Sequence, residues 1–202
     1  GLPDMDVLTV GSSGFNTLFA GTNGLGLFRS INLGSTWVQS AFTGRKVYAI
    51  AVNGANVYCA VQTIGVVRSS NRGSSWFFTG GLTDKDISSL TVFGENIIAG
   101  TVGSGIFMST DNGATWTSRN TGMANAHIQC FEASSTYGVT GGVNLFAGSS
   151  NAVYLSTDSS TTWNNVSTGL EGGDVRALVA LGDFLFAGTS VGGVWRRPLS
   201  EM

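Results

Sequence analysis

Charge is scarce in this sequence. Ten lysines and arginines and twelve aspartates and glutamates make up 11% of 202 residues, with a formal net charge of −2. A phosphate-backbone partner needs a clustered basic surface, so nucleic acid is excluded as a partner. Cysteine is rarer still. Cys59 and Cys130 stand far apart in apolar surroundings without a C-x-x-C companion. That excludes a zinc site and a disulfide framework and leaves two buried free thiols as the expectation. No metal-ligand set and no cofactor motif occurs, whether P-loop, H-E-x-x-H or G-x-S-x-G elbow. No apolar run reaches the roughly 18 to 20 residues of a membrane-crossing helix, so membrane insertion is not expected. The opening GLPDMDVLTV lacks the basic-then-apolar layout of a signal peptide. The expectation is a soluble chain whose export signal has been removed or left out. Helical periodicity is missing throughout.

What the chain does have is glycine, 30 of them, and a hydrophobic fraction of 42%, ample for one buried core. It also repeats itself. Trp37, Trp76, Trp116 and Trp163 are 39, 40 and 47 positions apart, and Phe28, Val67, Phe107 and Tyr154 each stand nine positions before one of them. Trp195 continues that second series. A period near 40 residues points to propellers or solenoids.

Each period contains the same four runs. The first is DVLTV, KVYAIAV, DISSLTV, HIQCFEA or DVRALVA, and the second TLFAGT, NVYCAV, NIIAGT, NLFAGS or FLFAGT. The third is GLFRS, GVVRS, GIFMS, AVYLS or GVWRR. The fourth begins at the tryptophan, as TWVQS, SWFFT, TWTSR and TWNNV. Short β-branched and aromatic runs punctuated by Gly, Asn and Ser predict antiparallel strands joined by tight turns. Four strands repeated five times predict an all-β fold, a five-bladed β-propeller in a single domain spanning 1–202. The blades run approximately over 6–40, 46–79, 86–119, 127–167 and 174–198. A solenoid fits less well, because its end repeats would carry polar caps and these are as apolar as the middle ones. No tryptophan strand follows GVWRRPLSEM, so the last blade is expected to have three strands, with Pro198 marking its edge.

At the tryptophans the chain carries a family resemblance. STDNGATW (109–116) matches the Asp-box pattern S/T-x-D-x-G-x-T-W/F, and the chain is similar over essentially its whole length to exported bacterial proteins built from Asp-box, or bacterial neuraminidase, repeats. The four boxes are Ser30, Asn32, Gly34, Trp37; Ser69, Asn71, Gly73, Trp76; Ser109, Asp111, Gly113, Trp116; and Ser156, Asp158, Ser160, Trp163. The resemblance implies a propeller, an extracellular or cell-surface location, and a structural box: a hairpin joint between third and fourth strands, on the face opposite any active site. It does not imply one activity, since the family includes sialidases, xyloglucan-active glycosidases, sorting receptors and photosystem assembly factors. The residues agree with a structural role. An Asp or Asn in a turn accepts backbone N–H bonds, Gly supplies positive φ, and Trp fills space between blades. Asn32 and Asn71 keep the turn bond but not the charge, and Ser160 replaces a glycine.

Function is therefore sought at the other end of the strands. Asp6, Lys46, Asp86, His127 and Asp174 are equivalent positions just before each first strand, and Leu8, Tyr48, Ser88, Gln129 and Arg176 lie two residues further on. Candidate ligand-binding residues are Asp6, Lys46, Tyr48, Asp86, His127, Gln129, Asp174 and Arg176, a mixed polar set suited to a carbohydrate or to another protein. The alternative reading is of ordinary solvated strand starts. The arginine triad, tyrosine nucleophile and [FY]-R-I-P segment of sialidases do not appear. Two-carboxylate glycoside hydrolysis with Asp6, Asp86 or Asp174 is the alternative, although a general acid should be partly buried and these aspartates look exposed. The sequence thus points to a non-catalytic exported module without metal or cofactor. The extra residues in SSTYGVTGGVN (134–144) read as surface decoration between the first two strands of blade four.

Overall fold

The computed structural model describes residues 2, 5–14, 16–123, 127–134 and 144–202. Among these, every regular element is a strand apart from a terminal 3-10 turn, Leu199–Glu201. No helix is long and apolar enough to cross a membrane. Blade one comprises β1 (Val7–Ser13), β2 (Thr17–Thr22), β3 (Leu27–Ser30) and β4 (Val38–Ala41). Blade two comprises β5 (Val47–Asn53), β6 (Asn56–Val61), β7 (Gly65–Ser69) and β8 (Phe77–Phe78). Blade three has β9 (Ile87–Phe93), β10 (Asn96–Thr101), β11 (Ile106–Ser109) and β12 (Thr117–Ser118). Blade four has β13 (Ile128–Ser134), β14 (Asn144–Ser149), β15 (Ala152–Ser156) and β16 (Asn164–Asn165). Blade five has β17 (Val175–Leu181), β18 (Phe184–Thr189) and β19 (Val194–Pro198). Each sheet runs in chain order, four sheets having four strands and the last three. This is the all-β, five-bladed propeller that the repeats predict, with its short final blade ending at Pro198. The insertion in blade four falls at residues 135–143, outside the described residues.

Packing divides the chain into two compact units: residues 1–99 with 109–116, and 100–108 with 117–202. In the first unit, Phe19, Leu27, Val47, Val57, Cys59 and Val67 form a buried cluster against which Trp76 packs. In the second, Phe146, Val153, Leu155, Val175 and Leu185 form another, flanked by Trp195. The second strands β6, β10 and β14 are buried at every position but the first, which accounts for their unbroken apolar runs. The fourth strands differ from expectation. They begin one residue after the tryptophan, and three of them are only two residues long. The amide just before each tryptophan is bonded to the box Asn or Asp, so the ladder starts only beyond it.

Two features of the first strands escape the alternation of polar and apolar residues. The β5–β6 register pairs Val47 with Val61 and then Ala49 with Ala60, so Tyr48 is an extra residue in a β-bulge. The same shift leaves Leu8, Gln129 and Arg176 as extra residues in blades one, four and five. The bulge turns the strand's first residue toward the preceding blade. A β-carbon at Gly21 would lie 2.8 Å from Val47 Cγ1, and one at Gly148 would lie 2.7 Å from Val175 Cγ1. The glycine of the FAG motif is therefore a close-approach glycine, its side-chain space occupied by the next blade's valine.

The cysteines are unpaired, Cys59 buried and Cys130 half-buried with its Sγ 3.5 Å from the Val175 carbonyl. Burial raises both thiols, Cys130 to about 12, so neither is a ready nucleophile.

Candidate functional site

The box is one hydrogen-bonded joint built four times. Ser30, Ser69, Ser109 and Ser156 each donate to the Oδ1 of the residue two positions on, at 2.8–3.0 Å. Each serine hydroxyl also accepts the amide four positions on, from Gly34, Gly73, Gly113 or Ser160. The central Oδ1 then accepts the amide of Thr36, Ser75, Thr115 or Thr162 at 2.8–2.9 Å. Two consecutive residues take positive φ, for example Asn112 at 60° and Gly113 at 91°. In box four both are serines, Ser159 at 58° and Ser160 at 68°, and the buried Ser160 hydroxyl has no hydrogen-bond partner among the described residues.

Asn and Asp differ at a single bond. Asn32 and Asn71 use Nδ2 to donate to Thr36 and Ser75, whereas Thr115 and Thr162 donate to Oδ2 of Asp111 and Asp158 at 2.6 Å. The hydroxyl reverses its role, so either side chain closes the turn. The Thr115 hydroxyl, with the Thr115 amide and Ser109, holds Asp111 at a pKa of about 2. Burial pushes Asp158 up, but its bonds from Thr162, Ser156 and Thr161 outweigh it and hold that group at about 2 as well. Folded-state values below the unfolded value near 4 stabilise the protein above that pH, and the contribution is lost as pH falls from about 4 to about 2. Thermal melts across this window should show wild-type stability falling, with a shallower fall in an Asp111→Asn/Asp158→Asn double variant. Identical slopes would refute this origin of acid sensitivity.

The candidate ligand residues lie at the opposite strand ends from the boxes, immediately before or at the first-strand bulges. In the first unit, the exposed Asp6 accepts from the Asn23 amide through its carbonyl, and its carboxylate lies 3.4 Å from Asn23 Nδ2. The Lys46 carbonyl accepts from Gln62 N at 2.9 Å. Tyr48 is the bulge residue, more than a third exposed. Asp86 is exposed, its amide bonded to Asp84 Oδ1 in a local turn. In the second unit, His127 is half-buried. Gln129 holds its Nε2 away from solvent without a hydrogen-bond partner among the described residues. Asp174 and Arg176 form an exposed ion pair at 3.2 Å, and the Asp174 carbonyl accepts from Ser190 N. The backbone pins from Asn23, Gln62 and Ser190 follow no residue pattern and are invisible in the sequence.

Two grooves were not foreseen. One of about 400 Å³ in the first unit is lined by Arg68, Phe77, Phe78 and Asp111–Ala114. The other, of about 180 Å³ in the second unit, is lined by Leu170, Glu171, Thr189 and Trp195 among others. Phe77 and Trp195 stand out in the sequence only as strand markers, which hides their place beside polar groups. Among the described residues no group of three or more His, Cys, Asp or Glu is placed to hold a metal ion.

Fold and strand-end geometry together define a β-propeller module. No protein-family model matches the chain, and no curated protein matches it. Solved structures do. A GH74 xyloglucanase from Xanthomonas campestris is 19% identical, with a TM-score of 0.73 over 98% of this chain and 37% of that one. The extracellular domain assigned to a hybrid two-component system of B. thetaiotaomicron is 15% identical, with a TM-score of 0.76 over 94% of this chain and 26% of that one. YCF48, solved with a D1 peptide bound, is 11% identical, with a TM-score of 0.51 over 96% and 93% of the two chains. The chain thus spans little more than a third of the xyloglucanase and about a quarter of the sensor domain. At such identities the likeness establishes the propeller fold.

Proposed function

We propose that the chain is a non-catalytic interaction module of the Asp-box class, exported, and binding a polar ligand, either a glycan or a peptide. The candidate contact residues are Asp6, Lys46, Tyr48 and Asp86 in the first unit and, taken separately, His127, Gln129, Asp174 and Arg176 in the second. The observation that carries this reading is the contrast between the two strand ends. At one end four joints have the same bonds, while at the other the same bulge presents leucine, tyrosine, glutamine and arginine in different blades. A bulge re-aims a side chain, and Gln129 offers an amide in want of an acceptor. Against catalysis by the three candidate aspartates stand the exposure of Asp6 and Asp86 and the pairing of Asp174 with Arg176, which suit none of the three to serve as general acid. Similar folds include a xyloglucanase and a peptide-bound protein, so the fold alone does not select an activity.

A glycan array followed by titration should find a saccharide or peptide whose affinity drops at least tenfold, about 1.4 kcal/mol, in Tyr48→Ala or Arg176→Ala. Hydrolysis of xyloglucan or aryl glycosides that disappears in Asp86→Asn would overturn the reading in favour of a glycoside hydrolase.

A further inference from the structure

Two grooves of the first unit occupy equivalent places beside successive boxes, and one of them is held open. In blade one, Arg29 on β3 is paired with Val38 on β4, and Arg29 Nη1 crosses to box two to donate to Ser74 Oγ at 3.2 Å. Ser40 Oγ donates to the Gly73 carbonyl of the same box. The space left beside Arg29, Val38 and Ser40 is about 210 Å³. Blade two repeats the arrangement, with Arg68 on β7 paired with Phe77 on β8. Its neighbour is box three, where Ala114 stands in the place of Ser74. A methyl group accepts no hydrogen bond. Arg68 turns back along its own blade instead, its Nε and Nη2 donating to Asn56 Oδ1 at 3.3 and 2.9 Å. The groove between blade two and box three keeps about 400 Å³, nearly twice the volume of its counterpart and within the range of small-molecule sites, roughly 300–1,000 Å³.

Both walls of the larger groove belong to the first unit, and they are fixed against each other. A β-carbon at Gly113 would lie 2.7 Å from Thr79 Cγ2, and one at Gly80 would lie 3.3 Å from the Ala114 carbonyl oxygen. The polar groups between them have bonding capacity to spare. Asn112, held at a φ of 60° by the box, accepts the Tyr58 hydroxyl on Oδ1 at 3.1 Å, which leaves its Nδ2 as a donor. Arg68 forms no ion pair among the described residues, and its Nη1 is not used by Asn56. Asp111 takes the Thr115 hydroxyl on Oδ2 and stays ionised down to a pH of about 2, so that oxygen remains an acceptor. Phe77 supplies the apolar part. It is 59% exposed, and its pairing with Arg68 sets the two side chains on one face of the sheet.

We infer that the groove between blade two and box three is a binding site for a neutral saccharide, separate from the strand-end residues of the function proposed above. The charges decide the class of ligand. One guanidinium and one carboxylate leave the groove without net charge, so neither an acidic nor an amino sugar is favoured over a neutral one. Sugar hydroxyls both donate and accept, and so serve Asp111 on one side and Arg68 and Asn112 on the other. A carboxylate ligand only accepts and an ammonium ligand only donates. The C–H face of a pyranose ring covers the Phe77 ring, removing apolar surface from water on both partners. A peptide adding itself as a strand is disfavoured, because the outer strand β8 is two residues long and offers too short a ladder to extend.

The test is an NMR titration of the isotope-labelled chain with neutral tetrasaccharides of glucose, xylose and mannose, with tetragalacturonate and the chitosan tetramer as charged comparisons. At least one neutral probe should bind with millimolar affinity or tighter and shift the amides of residues 77–80 and 111–115. Phe77→Ala, which removes the ring, should weaken that binding at least tenfold. Ala114→Ser should do the same by a different route, since it restores the hydroxyl that Arg29 uses in box two and lets Arg68 close the groove. Both positions are exposed, so melting temperatures should stay close to wild type. Asp111→Asn keeps the turn, as Asn32 and Asn71 do, and should also weaken binding because the freed Oδ2 acceptor is gone. Shifts confined to the strand starts at 46–49 would favour the strand-end reading and overturn this one. So would a groove that binds none of the neutral probes, one that takes only the charged probes, or binding that Phe77→Ala and Ala114→Ser leave unchanged.

Discussion

Trp163→Ala is expected to destabilise the protein by about 3–5 kcal/mol, the range for removing a fully buried indole. Trp163 is 2% exposed and the largest fully buried side chain among the described residues. Its Nε1 donates to the Arg119 carbonyl at 3.0 Å, whereas Trp37 and Trp116 donate to the glycine carbonyls of their own boxes. Removing the indole therefore leaves a cavity and an unpaired carbonyl together. Trp37 is only half-buried and bonds locally, so Trp37→Ala should cost clearly less. Denaturant unfolding of the two variants checks the order. Equal losses would mean that the four tryptophans are interchangeable fillers.

Gly122→Ala should cost about 2–5 kcal/mol, from two additive causes. Gly122 has φ of 88°, where a β-carbon is disfavoured by roughly 1–2 kcal/mol. That β-carbon would also be driven into the carbonyl oxygen of Trp163, a backbone atom without rotamer freedom. The segment cannot yield easily, because Trp163 N is bonded to the Thr121 carbonyl at 2.9 Å. Forcing it apart adds the overpacking cost of about 1–3 kcal/mol. Gly182→Ala provides the control: its φ of 58° is also positive, but its β-carbon would meet nothing within 4 Å. Unfolding free energies of the two variants should differ by the steric part alone, and equal losses would remove it.

The repeats made the blades, their number, the short last blade and the box joint legible, because each depends on residues close together in the chain. Ser109, Asp111 and Gly113 lie within five positions, and so does every hydrogen bond that ties them. The strand starts were legible as positions, since Asp6, Lys46, Asp86, His127 and Asp174 each directly precede a first strand. The bulges were not. Val47 and Ala49 read as two inward residues of one alternating run, and only the pairing with Val61 and Ala60 reveals that they face opposite ways. Gly21 and Gly148 were likewise opaque, because the valine that requires each of them lies in the next blade, 26 or 27 positions on. The Asp174–Arg176 pair depends on side-chain placement that no spacing rule encodes.

The locality of the box bears on how the chain folds. Its bonds join residues two to four apart, so closing it costs little loop entropy, and each blade adds strands in the order in which the chain supplies them. Topologies with short sequence separation between partners fold quickly for all-β architectures. Bonds between blades, such as Ser13 to Gly54 across 41 residues, close much longer loops. Blades thus have the means to form one by one as hairpins pinned at their boxes, and to dock afterwards. An intermediate with formed hairpins and undocked blades would bare Val47 and Val175, the fully buried valines that lock onto Gly21 and Gly148 of the preceding blades.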